Sequence, residues 1–104
     1  MDLSMIYKAL RLIRQYHKQS LLDLSASLGL SKDKIIDIES GLSSPSIEVL
    51  QSYACHFNIP VSSLVFFSES LGTQGRLSKR LRLNLAGKML DIVEWVNNKN
   101  EKKD

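Results

Sequence analysis

Few residues in this sequence could do covalent or acid–base chemistry, and their spacing does not suit it. The candidates are His17, Cys55 and His56, because the 104 residues include two histidines and one cysteine. Cys55 and His56 are neighbours on a predicted helix, so their side chains point about 100° apart and do not form a nucleophile–base couple. No nearby acid completes a site. We interpret His17 as a cation favoured at a helix C-terminus and Cys55 as a small buried apolar residue.

The sequence also lacks the residues that disulfides, metal sites and phosphate-binding loops require. One cysteine excludes an internal disulfide and a multi-cysteine zinc site. The sequence has no glycine-rich phosphate loop and no His-Glu-x-x-His motif. We therefore predict a protein that is not an enzyme and that holds no metal and no cofactor.

The charges are unevenly distributed along the chain. Overall, 14 basic and 11 acidic residues give +3. Residues 1–70 hold six basic and seven acidic residues, whereas residues 71–104 hold eight and four, so the net charges are −1 and +4. A basic cluster follows residue 75 and consists of Arg76, Lys79, Arg80 and Arg82. It is either a source of phosphate contacts or the solvated face of an amphipathic helix.

Apolar residues recur at spacings of three and four almost throughout, which predicts an all-α fold. We expect helices over residues 3–16, 21–28, 32–40, 45–57 and 62–67, and a longer C-terminal helix over 77–97. The residues expected to face the core are Ile6, Leu10, Ile13, Leu24, Leu28, Ile35, Ile38, Ile47, Leu50, Ala54, Leu64 and Val65.

The second and third predicted helices have clear start and stop signals. Ser20 with Asp23 three residues later predicts a capping box, and Ser31 is expected to cap the next helix. Gly29 and Gly41 suit the left-handed conformation that follows a last helical turn. Two short helices joined by a glycine turn have the helix-turn-helix spacing, and small Ser25 suits the place where the helices approach.

Several further motifs make the sequence similar to the phage repressor and Cro type of helix-turn-helix proteins, also called the xenobiotic-response-element type. They are Leu-Gly-Leu-Ser at 28–31, Ile-Glu-Ser-Gly at 38–41, Pro-Ser-Ile at 45–47 and the segment 54–60. The resemblance covers about residues 6–67. It implies a five-helix domain that binds double-stranded DNA with its third helix in the major groove.

The resemblance also assigns roles to residues by position. The base-contacting residues would be Lys32, Asp33, Ile36 and Asp37. The phosphate-contacting residues would be Ser20, Leu21, Lys34, Ser40, Ser43 and Ser44. A structural ion pair would join Arg14 on the first helix to Glu39 on the third.

The sequence departs from the family at the expected DNA face. Leu21 stands where the family commonly has a phosphate-binding glutamine, and the loop 42–44 lacks the frequent lysine or arginine. Leu21 and Ile36 are expected to be exposed there, and exposed apolar residues can instead mark a protein contact. This leaves open an alternative to DNA binding, namely a degenerate interaction module that binds a partner regulator or a toxin.

The C-terminal part divides into a linker over 68–75, an amphipathic helix over 76–97 and a disordered tail over 98–104, after a DNA-binding domain over 1–67. The apolar stripe of the helix either packs on its own chain or forms a dimer. We favour dimerisation, because operators of this family have two-fold symmetry. The residues assigned to the dimer contact are Leu85, Met89, Ile92, Trp95 and Val96.

The sequence thus predicts a dimeric transcriptional repressor of phage, plasmid or other bacterial origin. Its longest apolar run, residues 64–67, is far below the roughly 18 residues of a membrane span, and its first 18 residues do not look like a signal peptide. We therefore expect no membrane partner and a cytoplasmic location.

Overall fold

The computed structural model describes residues 4–71, 91–92, 94–96 and 98. Five helices follow one another in the first of these ranges, and the described part of the chain contains no strand. Their bounds are α1 Ile6–Tyr16, α2 Leu21–Leu28, α3 Lys32–Ser40, α4 Ile47–Phe57 and α5 Val61–Leu71. The prediction of an all-α fold is confirmed.

The helices share one core. Helix α1 packs against α3 and α5, α2 packs against α3 and α4, and α4 packs against α5. The core includes the predicted Ile6, Leu10, Ile13, Leu24, Ile35, Ile38, Leu50 and Leu64, together with Ala9, Leu12, Tyr53, Phe57, Ile59 and Phe67. Ala54 is also buried.

Three of the residues predicted to face the core are less buried than expected. Leu28 and Val65 are half-buried, and Leu28 still packs against the core. Ile47 is 69% exposed. Helix α4 begins at Ile47 and not at Pro45, because the Ser46 hydroxyl caps the helix by accepting the Val49 N–H at 3.2 Å. Ile47 is therefore the first helical residue, and its side chain lies outside the core.

Helix α5 is longer than predicted at both ends and includes residues 68–71, which were assigned to a linker. The polar Ser-Glu-Ser stretch suggested a loop, but Ser68 and Ser70 are buried within the helix. The Ser70 hydroxyl donates to the Phe67 carbonyl at 2.7 Å, so a local helical acceptor satisfies it. Helix α1 begins at Ile6, after a turn at residues 4–5.

The described C-terminal residues are helical and complete the same core. Ile92 and Val96 are buried against it, and the half-buried Trp95 places its ring edge-on to Tyr16 at 5.6 Å. The burial of Ile92 and Val96 favours the alternative in which the apolar stripe packs on its own chain, and their assignment to a dimer contact stays a prediction. Trp95 likewise packs on its own chain.

Several predictions lie outside the described residues. They concern Leu85, Met89, the basic cluster and the segments 72–75 and 99–104. No helix in the described part of the chain is long and apolar enough to cross a lipid bilayer.

Candidate nucleic-acid interface

The turn between α2 and α3 is fixed by local hydrogen bonds. The Ser20 hydroxyl accepts the Asp23 N–H at 3.0 Å, and the Asp23 carboxylate accepts the Ser20 N–H at 3.2 Å, which completes the predicted capping box. Gly29 has φ +69° and donates its N–H to the Ser25 carbonyl. The Ser25 hydroxyl donates to the Leu30 carbonyl and so ties the end of the turn back to α2.

Both ends of α3 are capped. The Ser31 hydroxyl accepts the Lys34 N–H at 3.1 Å at the start of the helix. At the other end Gly41 has φ +86°, and the Asp37 carbonyl accepts the N–H groups of Leu42 and Ser43 at 3.0 and 3.1 Å. These bonds satisfy carbonyls that a helix end leaves without partners, so the nine-residue helix is a well-defined element.

The two sides of α3 differ sharply in burial. Ile35 and Ile38 are fully buried, and Glu39 is 4% exposed. The opposite side carries the four residues predicted to contact bases, Lys32, Asp33, Ile36 and Asp37, and all four are exposed. We call these four residues the outward face of α3. Within the described part of the chain, nothing covers this face.

Glu39 ties α3 to two other helices. The Arg14 Nε of α1 donates to the two Glu39 carboxylate oxygens at 2.9 and 3.1 Å, which is the ion pair that the resemblance implies. The Tyr53 hydroxyl of α4 donates to the same carboxylate at 3.1 Å. Arg14 also donates to the Gln19 carbonyl at 2.9 Å. The network fixes the position of α3 relative to α1 and α4.

The sequence assigned Tyr53 no part in this network, although its place on the apolar side of α4 is consistent with a buried side chain. Burial of its hydroxyl raises the pKa of Tyr53, and the neighbouring Glu39 carboxylate raises it further. The phenol therefore stays protonated and keeps donating its hydrogen bond well into alkaline solution.

A family model described as helix-turn-helix matches residues 8–64, which is more than half of the chain. The chain belongs to the helix-turn-helix family. The match is consistent with the phage repressor and Cro type, and it identifies a DNA-binding regulatory domain and not an enzyme family. Searches of curated proteins and of solved structures gave no significant match.

The residues predicted to contact phosphates in this helix-turn-helix protein differ in accessibility. Ser20, Lys34, Ser40 and Ser44 are exposed, and Ser43 is partly buried. Leu21 is half-buried and packs against the core, so the expectation that it is an exposed apolar residue is wrong. As the first residue of α2, it turns its side chain inward and offers its backbone N–H at the helix start.

Three large apolar residues that the sequence did not predict to be exposed lie on the surface of the domain. Leu22 on α2 and Leu42 after α3 are exposed, as is Ile47 at the start of α4. Periodicity alone did not identify them, because two of the three lie at or beyond a helix end.

Cys55, His56 and His17, the candidates for covalent or acid–base chemistry, differ in exposure and in hydrogen-bond partners. Cys55 is exposed, so its assignment as a buried apolar residue is wrong. His56 forms a hydrogen bond with the Gln19 side chain at 3.0 Å, and His17 donates to the Ile13 carbonyl at 2.8 Å. Within the described residues, no group of three His, Cys, Asp or Glu side chains could hold a metal ion.

Proposed function

We propose that this helix-turn-helix protein is a homodimeric, sequence-specific transcriptional repressor that inserts α3 into the major groove of DNA. The observation that carries the proposal is the two-sided character of α3. Its inner side is held in the core by Ile35, Ile38 and the Glu39 network, while its outward face is exposed. A rigidly held helix with a free polar face suits the reading of base edges.

The outward face carries side chains that can distinguish base pairs. Lys32 can donate to the guanine acceptors, Asp33 and Asp37 can accept from the cytosine amino group, and Ile36 can contact a thymine methyl group. Ile36 is 38% exposed, which leaves enough of its side chain available for such a contact.

Phosphate contacts would come from the borders of this face. Exposed Lys34, Ser40 and Ser44 are close in sequence to the outward face. The backbone N–H groups at the starts of α2 and α3 favour anions, because they are partly positive and point along the helix axis. The basic cluster after residue 75 would add salt-dependent affinity.

The proposed dimer follows from the symmetry of DNA. A single α3 covers one half-site, and two copies would read half-sites about 34 Å apart on one side of the duplex. A protein bound in this way would exclude polymerase from a promoter, which is why we propose repression. The proposal implies a cytoplasmic location, where bacterial and phage DNA is transcribed.

The test measures binding to mixed genomic fragments at low and physiological salt. A steep fall in affinity with salt and a preferred palindromic site would support the repressor, whereas no retention at low salt would favour the interaction module. Replacing Lys32 and Lys34 together by alanine should weaken binding to the preferred site, because one base contact and one phosphate contact are lost. The control removes one charge of α1 and one charge after it, Lys8→Ala with Lys18→Ala, and should bind that site as the wild type does. Equal binding by both double variants would show that α3 is not the reader.

A further inference from the structure

We infer that α3 selects cytosine at two positions of its half-site, through the carboxylates of Asp33 and Asp37. The inference rests on the proposed function and adds the class of sequence that the protein prefers. It starts from the unusual presence of two acidic side chains on a surface that must approach a polyanion.

The two carboxylates are placed to act together. They are four residues apart in an uninterrupted helix, so they lie on the same side, and both are exposed. Four residues advance about 6 Å along a helix axis, and each base pair advances about 3.4 Å along DNA. With α3 along the groove, the carboxylates would therefore face bases about two pairs apart.

The helix dipole favours a carboxylate at Asp33 but not at Asp37. Asp33 is in the first turn of α3, where the helix dipole favours a negative charge. Asp37 is outside that turn and is one turn from another acid, which is a repulsive spacing. Within the described residues, the structure shows no ion pair at either carboxylate.

The hydrogen-bonding groups in the major groove decide which base a carboxylate can contact. An ionised carboxylate only accepts hydrogen bonds, and the donors in the major groove are the amino groups of cytosine and adenine. Adenine presents its N7 acceptor beside the donor, which repels a carboxylate, whereas cytosine presents a donor alone. Guanine, paired with cytosine on the other strand, supplies the acceptors that suit Lys32.

The test is a selection of bound sequences from a random pool of duplex DNA, with the wild-type protein and with Asp33→Asn and Asp37→Asn. The wild type should enrich a site with cytosines about two base pairs apart. Asparagine pairs with adenine, so each variant should exchange one cytosine preference for adenine and bind the wild-type site about tenfold more weakly.

A general electrostatic effect would change the affinity for DNA in the opposite direction. Weaker binding by the asparagine variants therefore identifies a specific contact. Removing a negative charge raises affinity for DNA of any sequence, and Glu48→Gln, on the exposed start of α4, is the matched control for that effect. A wild-type site without cytosine, or a base preference unchanged in both asparagine variants, would overturn the inference and leave the repressor proposal standing. No enrichment by the wild type, with no binding at low salt, would overturn both.

Discussion

Replacing Glu39 by alanine should destabilise the protein strongly, because it removes the acceptor of three hydrogen bonds at a buried site. Breaking a buried ion pair costs about 3–5 kcal/mol. Arg14 is 14% exposed and keeps its bond to the Gln19 carbonyl, so we expect the lower end, about 3 kcal/mol. For a domain of this size, that corresponds to a fall in melting temperature of roughly 12–24 °C.

A double-mutant cycle with Tyr53→Phe separates the contributions. That substitution alone removes a hydrogen bond to a carboxylate and should cost about 1.5–3 kcal/mol. In the Glu39→Ala background it should cost almost nothing, because the hydroxyl has already lost its acceptor. The free energies of unfolding come from urea denaturation followed by circular dichroism, with Glu48→Ala as the exposed-glutamate control, expected to change stability by about 1 kcal/mol or less.

Two results would refute this reasoning. If Glu39→Ala destabilises no more than Glu48→Ala, the ion pair does not hold α3 in place. If Tyr53→Phe costs the same in both backgrounds, its hydroxyl contributes nothing through Glu39.

Three further predictions concern other parts of the fold. Because the pKa of Tyr53 is raised on folding, the unfolded chain loses this proton first, and stability should fall above about pH 10, by up to about 1.4 kcal/mol per pH unit. Urea denaturation at several pH values should show that the free energy of unfolding falls less steeply with pH in Tyr53→Phe than in the wild type. Equal slopes for the two proteins would show that Tyr53 does not cause the fall. Ile92→Ala should lower the free energy of unfolding by about 2–5 kcal/mol without changing the mass measured by light scattering, and dissociation of a dimer would show instead that Ile92 belongs to a dimer contact. Ser31→Ala should cost about 1 kcal/mol in urea denaturation through loss of the α3 cap, whereas Ser44→Ala, outside the helices, should cost almost nothing.

The sequence predicted the bounds of α2 and α3 correctly because their ends depend on local signals. The Ser20–Asp23 box, the Ser31 cap and the two left-handed glycines act within a few residues of themselves. The resemblance to a known family then supplied the pairing of Arg14 with Glu39, which 25 positions separate in the chain.

Other features depend on contacts that periodicity does not specify. The apolar stripe that contains Ile92 and Val96 predicted that one side of this segment is buried. It did not predict which surface covers that side, and in the structure Ile92 and Val96 pack in the core of the same chain. The hydrogen bond from Tyr53 joins two helices, so no local pattern indicated it. Helix α5 extends beyond its predicted end, and the hydroxyl of Ser70 in the polar stretch bonds to a carbonyl within the helix.

The exposure of Cys55 has a practical consequence for measurements of oligomeric state. It is the one thiol of the sequence and is accessible on α4, so air oxidation can join two molecules covalently. Such a cross-linked species would imitate a repressor dimer in size-exclusion chromatography. Reductant, or a Cys55→Ser protein, is therefore required before any doubled mass is attributed to non-covalent assembly, and the same thiol offers a single attachment point for a fluorescent dye.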